Sequence, residues 1–331
     1  MVWIEFLASA AIIIFASMQL AKYGDVIALR TKLGGMFVGT LLLAGATSLP
    51  EVLTTVTACL QGEPNLAAGN LFGSNAMNML ILAIMDIMHS RRRITRRNAE
   101  RHALTGSLSI LMIALAVFFL AARLPFAINL GSFKIGFDSM MMIAAYVFAM
   151  SLIRKQSKKM SVSYDDEDLP EGTPALKPAV IWFVAAIITL FFATPWMVST
   201  STRIAAISGL GTTFIGATLV AFVTSLPEMV STISAAKIGA DDMAIGNLFG
   251  SNMFNMMSIG IADLFLAGNL FFHAVDPSFV LAGMVGLLMT IFAVVGTLGR
   301  LERKIWFIEV DAMLLILLYL GGTYLLYARG M

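Results

Sequence analysis

The sequence predicts an all-α membrane protein: ten transmembrane helices in two inverted-topology five-helix repeats, with helices 2 and 7 discontinuous. Three observations lead there. The first is apolarity. The 331 residues are 59% hydrophobic and only 13% charged, with a mean hydropathy of +0.87, and a soluble surface built from such runs would aggregate. The second is a duplication: Gly34 to Met79 returns as Gly211 to Met256, at an offset of 177 residues without a gap and with 23 of 46 positions identical. The third is the placement of lysine and arginine, which sets the direction of each crossing.

Roughly 20 helical residues cross about 30 Å of hydrocarbon, and ten apolar runs qualify: 2–21, 35–60, 66–88, 103–122, 137–154, 176–197, 212–236, 243–266, 278–297 and 306–327. The first run begins with Glu5 in place of a basic region and lacks a small-residue cleavage site, so it reads as a retained span. The second contains Pro50 and the seventh Pro227. Proline has no amide hydrogen and crowds the preceding turn, so each helix is expected to break there. The third and eighth carry polar stripes, Asn70/Ser74/Asn78 and Asn247/Ser251/Asn255, each spaced by four. Glu309 and Asp311 mark the interface where the tenth begins.

These runs divide the chain into an N-terminal half (1–154, with its repeat at 34–79), a linker (155–175), and a C-terminal half (176–331, with its repeat at 211–256). The linker is short, polar and turn-rich, and its acidic cluster Asp165 to Asp168 reads as part of a solvated tether. With the N terminus outside, 18 of the 22 basic residues fall on the inner side, leaving only Arg123, Lys134, Arg203 and Arg329 outside. This bias supports both the span count and a cytoplasmic-membrane orientation with both termini outside and the linker cytoplasmic. The basic stretch 91–101 becomes a cytoplasmic anchor beside anionic lipids. Five spans on each side of the linker run the two repeats through the membrane in opposite senses, an arrangement from which secondary transporters make inward- and outward-facing states.

The polar residues at membrane depth locate a site. Glu51 and Glu228 each lie inside strongly apolar sequence, and a carboxylate there is costly unless something compensates it. Thr47 and Ser48 stand four and three residues before Glu51, and Thr224 and Ser225 repeat the spacing before Glu228. In helical geometry each hydroxyl shares a side with its own glutamate. A broken turn adds carbonyls that need protein, water or an ion. Such oxygens are hard ligands suited to sodium or calcium. Gly69/Gly73 and Gly246/Gly250 form Gly-x-x-x-Gly surfaces for helix packing. Asn75 and Asn252 fall off the polar stripes and are expected to satisfy freed backbone groups. Asp86 and Asp263 correspond at the same offset and read as end-of-helix or vestibule residues. The single Cys59 reads as packing, and His89, His102 and His273 are too scattered for a metal cluster. No phosphate-binding loop, redox-cofactor motif or nucleic-acid surface is present in the sequence, so neither an enzyme nor a resident cofactor is expected.

TSLPE at 47–51 and 224–228, with GNLFGSN at 69–75 and 246–252, resembles the alpha-repeats of the calcium/cation antiporter superfamily, particularly its compact prokaryotic sodium/calcium exchangers. The likeness covers essentially the whole chain. It implies helices 2, 3, 7 and 8 around a central ion site, with ligands at Thr47, Ser48, Glu51, Ser74 and Asn78, and at Thr224, Ser225, Glu228, Ser251 and Asn255. Glu51 and Glu228 are the charged members. Asn255 departs from the pattern, because many sodium-coupled members carry aspartate there. The large calcium-sensing domains of animal relatives have no room in the linker. The expectation is a Ca2+/Na+ antiporter working by alternating access, with a Ca2+/H+ antiporter and a cation channel as the alternatives. Its expected partners are inorganic cations and membrane lipids, with no nucleic acid and no obligate protein partner.

Overall fold

The computed structural model describes residues 2–31, 33–88, 99–130, 133–160, 172–208, 221–266, 268–299, 304–305 and 308–328. Helices occupy all ten predicted positions. They are α1 (Val2–Thr31), α2 (Gly35–Phe37), α3 (Ala44–Thr47), α4 (Leu49–Leu60), α5 (Pro64–Met88), α6 (Ala99–Ala122) and α7 (Phe137–Met160). Beyond the linker come α8 (Leu176–Ser208), α9 (Leu226–Lys237), α10 (Asp241–Ala262), α11 (Phe271–Ala274), α12 (Phe279–Gly299) and α13 (Val310–Ala328). Among the described residues seven single helices are long and apolar enough to cross a membrane, and the bent pair Gly35–Thr47 and Leu49–Leu60 makes an eighth span. The remaining two positions belong to α10, whose polar stripe lowers its hydropathy, and to the second broken span. That span is described from residue 221 onward, so the expected run 212–236 lies partly outside the described residues. The Asp165–Asp168 cluster also lies outside them, as does most of the basic stretch 91–101.

Several helices outrun their predicted ends. α1 continues past 21 to Thr31, α8 past 197 to Ser208, and α7 past 154 to Met160. Hydropathy marks only the lipid-embedded part of a helix, whereas backbone hydrogen bonding continues into the interface. Arg30, near the end of α1, uses its longer reach to donate to the carbonyls of Thr173 and Pro174 at 2.8 and 3.1 Å. Two short antiparallel hairpins were not expected: β1 (Ala127–Leu130) with β2 (Phe133–Gly136), and β3 (Lys304–Ile305) with β4 (Ile308–Glu309). Each leads directly into the last helix of its half, α7 or α13.

The direction of chain changes at Ser48 and Ser225, two residues before the prolines. Their dihedrals match closely, φ −85° and ψ 6° against φ −81° and ψ 3°. Pro50 and Pro227 then fall in the first turn of α4 and α9, where a missing amide hydrogen costs nothing. The same absence leaves the carbonyls of Ala46 and Val223, four residues earlier, without a helical donor. The first broken span bends by 44° and contains a π-helical stretch, Val38–Leu43, a form that concentrates at functional positions.

At the centre, α5 and α10 are buried along most of their length. α1 and α8 pack side by side and turn large apolar side chains outward, among them Trp3, Phe15, Trp182 and Phe192. Lipid makes such a face stable, so the interior depends on close fit instead of apolarity. α10 shows that fit against the first broken span. A Cβ on Gly250 would stand 2.5 Å from the Thr40 carbonyl and 2.8 Å from the Ala44 Cβ, and one on Gly246 2.9 Å from the Met36 carbonyl. Only glycine allows the two backbones so near. At the matching position a Cβ on Gly73 would stand 3.3 Å from the Ala221 Cβ, and Gly69 is half-buried. Cys59 is buried in apolar packing.

A candidate cation site between the two halves

The breaks at Ser48 and Ser225 place the two TSLPE segments face to face, with α5 and α10 alongside. Thr47, Ser48, Glu51, Ser74, Asn78, Thr224, Ser225, Glu228, Ser251 and Asn255 are all at most 1% exposed. Helical spacing puts each serine on the same side as its own glutamate, and the structure adds a bond from each serine to the glutamate of the other half. The Ser48 hydroxyl donates to Glu228 Oε1 at 2.8 Å, and the Ser225 hydroxyl donates to Glu51 Oε1 at 3.3 Å. The broken turn rotates each hydroxyl off its own helix face and toward the opposite half. Ser74 adds a third hydroxyl, donating to Glu51 Oε1 at 3.3 Å.

The threonines cross over as well. Thr47 Oγ1 bonds Asn247 Oδ1 and Thr224 Oγ1 bonds Asn70 Oδ1, both at 3.3 Å. Asn70 donates to the Glu51 carbonyl at 3.2 Å. Asn247 reaches the Glu228 carbonyl through Ser231, by contacts of 3.0 and 3.1 Å. Asn70 and Asn247 therefore brace the turns that carry the glutamates instead of facing the carboxylates.

The expected role of Asn75 and Asn252 is also corrected: their amide nitrogens, the groups that would serve freed carbonyls, have no hydrogen-bond partner, and their oxygens accept from side chains. Asn255 Nδ2 donates to Asn75 Oδ1 at 3.1 Å, and Asn78 Nδ2 donates to Asn252 Oδ1 at 3.0 Å. The pairing is not legible in the sequence because Asn75 and Asn252 leave the i, i+4 stripe and their partners lie in the other repeat.

Five buried oxygens at this junction have no hydrogen-bond partner: Glu51 Oε2, Glu228 Oε2, Ser251 Oγ, Asn78 Oδ1 and Asn255 Oδ1. Among the described residues neither glutamate forms an ion pair with a lysine, arginine or histidine. Two uncompensated carboxylates at this depth would be strongly unfavourable. A cation is the species that offsets both while meeting the remaining oxygens. No group of three or more His, Cys, Asp or Glu occurs among the described residues, so such a site relies on hydroxyls and amides as well as carboxylates.

Asp263 belongs elsewhere. It is 3% exposed, and its two oxygens accept from the amides of Gly136 and Phe271 at 2.8 and 2.7 Å, tying β2 and α11 to the end of α10. Being buried, it does not form an open vestibule. Asp86 lines a small cleft with Thr297 and Asp311 at the far end of α5, and Asp311 Oδ1 accepts from the Ala312 amide at 3.0 Å in the first turn of α13.

An inverted pair of five-helix units meeting at two buried carboxylates defines a multi-span cation-transport protein. The chain belongs to the sodium/calcium exchanger protein family, whose model matches residues 1–154 and 178–328, a family of transporters and not of enzymes. It is 26% identical to the putative antiporter CaxA of Alkalimonas amylolytica over 335 residues, 97% of both chains. It is 25% identical to the inner membrane protein YrbG of Escherichia coli (strain K12) over 262 residues, 78% of both. It shares the fold of the sodium-calcium exchanger NCX_Mj, with a TM-score of 0.73 and 19% identity over 98% of this chain and 99% of the other.

Proposed function

We propose that the protein is a secondary-active antiporter that exchanges Ca2+ against Na+ by alternating access. The observation that carries this reading is the pair of glutamates, one from each inverted half, each with one oxygen held by the other half's serine and one oxygen unpartnered. Thr47, Ser48, Glu51, Ser74 and Asn78, with Thr224, Ser225, Glu228, Ser251 and Asn255, would bind the ions. All supply oxygen, the ligand type of hard cations. The family match and the likeness to NCX_Mj support the choice of calcium and sodium. The basic-residue bias places 18 of 22 lysines and arginines on one side, which supports the cytoplasmic membrane with linker 155–175 inside and both termini outside. The likeness to an inner membrane protein agrees with that location.

Charge counting refines the coupling. Glu51 and Glu228 contribute two negative charges, whereas Asn78 and Asn255 contribute none. One Ca2+ balances them, and so do two Na+. A third Na+ would be unbalanced: two unit charges ~4 Å apart at an effective dielectric of ~20 repel by about 4 kcal/mol. A hydrogen bond to a charged group supplies only about 1.5–3 kcal/mol. Coupling near two Na+ per Ca2+ follows. The neutral Asn255 also favours a second reading, in which a proton shares a glutamate and the exchange is Ca2+/H+.

The test is calcium uptake into inside-out vesicles or proteoliposomes under crossed sodium, potassium and pH gradients. Uptake that requires the sodium gradient supports Ca2+/Na+ exchange. Uptake indifferent to sodium and driven by pH moves the assignment to Ca2+/H+.

A further inference from the structure

We propose that Asn75 and Asn252 are positioning residues that hold the amides of Asn255 and Asn78 with their carbonyl oxygens free for the transported cation. The inference rests on the reading of the junction as a cation site and adds a second layer to it. An asparagine side chain presents either a donor or an acceptor to a site, and only the carbonyl end attracts a cation. What decides between them is the partner taken by the other end.

Here the partners form a symmetric set. Asn78 on α5 donates to Asn252 on α10, and Asn255 on α10 donates to Asn75 on α5. The offset of 177 residues converts one pair into the other. All four side chains are at most 1% exposed, so water does not compete for these bonds. In both pairs the inner residue's Nδ2 donates to the outer residue's Oδ1, and in both the inner oxygen, Asn78 Oδ1 or Asn255 Oδ1, and the outer nitrogen, Asn252 Nδ2 or Asn75 Nδ2, have no partner. A lone pair of this kind could arise from packing alone. Two that agree in donor, acceptor and leftover atom on opposite halves require a common reason. Metal sites commonly fix their ligands this way, and losing the outer partner costs about 10- to 100-fold in metal affinity.

Each bond also spans the junction, joining α5 to α10. Orientation of a ligand in one half therefore depends on a residue in the other. Asn75 and Asn252 would touch no ion; they would act through Asn255 and Asn78.

The experiment compares Asn75→Ala, Asn75→Asp and Asn255→Ala, and Asn75→Ala combined with Asn255→Ala or with Asn78→Ala. The full-length protein is purified in detergent and cation-dependent thermal stabilisation is titrated with Ca2+ and with Na+. Half-maximal Ca2+ should rise about 10- to 100-fold in Asn75→Ala. Asn75→Asp keeps an acceptor for Asn255 Nδ2 and should stay within about threefold of the wild type or bind more tightly, since it adds a charge. Adding Asn75→Ala to Asn255→Ala should cost almost nothing further, because the residue it orients is gone. Adding it to Asn78→Ala should multiply the two single effects. Multiplication in both double variants, or an Asn75→Asp protein as weak as Asn75→Ala, overturns the positioning role. A wild-type protein stabilised by neither cation overturns the cation-site reading itself, and the positioning role with it. Should Asn75→Ala fail to fold, the same series at Asn252 and Asn78 decides the question.

Discussion

Glu51 and Glu228 are buried, and the second oxygen of each has no hydrogen-bond partner. Buried Asp138 also leaves one oxygen unpartnered, but its other oxygen accepts from the Ser139 amide at 2.9 Å, whereas the glutamates' first oxygens are met by hydroxyls. Glu51→Gln and Glu228→Gln keep side-chain size and lose the charge. Each is expected to insert normally and to abolish most calcium exchange, as measured by radioactive calcium uptake in proteoliposomes; near-normal flux in a well-folded Glu228→Gln protein would sink the two-carboxylate centre. The serines should rank below them and differ from each other. Ser48 lies 2.8 Å from Glu228 Oε1 and Ser225 lies 3.3 Å from Glu51 Oε1. A hydrogen bond to a charged group is worth about 1.5–3 kcal/mol, so Ser48→Ala should weaken calcium binding by about tenfold or more, with Ser225→Ala milder. Asn255→Asp raises the formal charge to three and should favour a further Na+ or a proton. Dual-isotope counting of sodium and calcium would detect the change in stoichiometry.

At the scale of elements, helix contacts concentrate the constraint in few positions. Gly250 approaches the Thr40 backbone and the Ala44 Cβ. Backbone yields less readily than a side chain. Gly250→Ala is therefore expected to destabilise the folded protein by about 1–3 kcal/mol, read as the difference between its thermal midpoint and that of the wild type in detergent. Equal midpoints would show that α10 shifts freely along the first broken span. The elements were also the most legible level of the sequence. Apolar length located the ten helices, and proline located the two breaks to within two residues. The two hairpins escaped because four-residue or shorter strands at a membrane face have no periodicity long enough to register. In the site, the repeat revealed which residue types recur, as it did for Glu51, Glu228 and the two serines. It did not reveal that Ser48 serves Glu228, or that Asn75 serves Asn255. Spacing along a helix defines neighbours within one segment, while those contacts depend on how two segments 177 residues apart face each other.

For the whole molecule, two carboxylates predict nearly electroneutral exchange. Exchange rate measured against membrane potential, clamped with potassium and valinomycin, should be nearly flat. A steep dependence with three sodium ions moved per calcium would mean that the charge count is incomplete, with Asp86 the first residue to test. Saturable counterflow, with turnover far below diffusive conduction, separates an exchanger from the channel that the same oxygens would otherwise line.

The crossed serines carry a consequence for how the protein is assembled. Ser48 completes the surroundings of Glu228 and Ser225 those of Glu51, so neither five-helix unit owns a finished site. Produced separately, residues 1–160 and 172–331 should each reach the membrane yet transport nothing. Produced together from two genes, they should recover calcium exchange, since every proposed ligand lies in residues 1–160 or 172–331. A mixed pair carrying Ser48→Ala in one fragment should then show its defect at the glutamate made by the other. Complementation of that kind would make the two fragments obligate halves of a single heterodimer, fused into one chain by a tether.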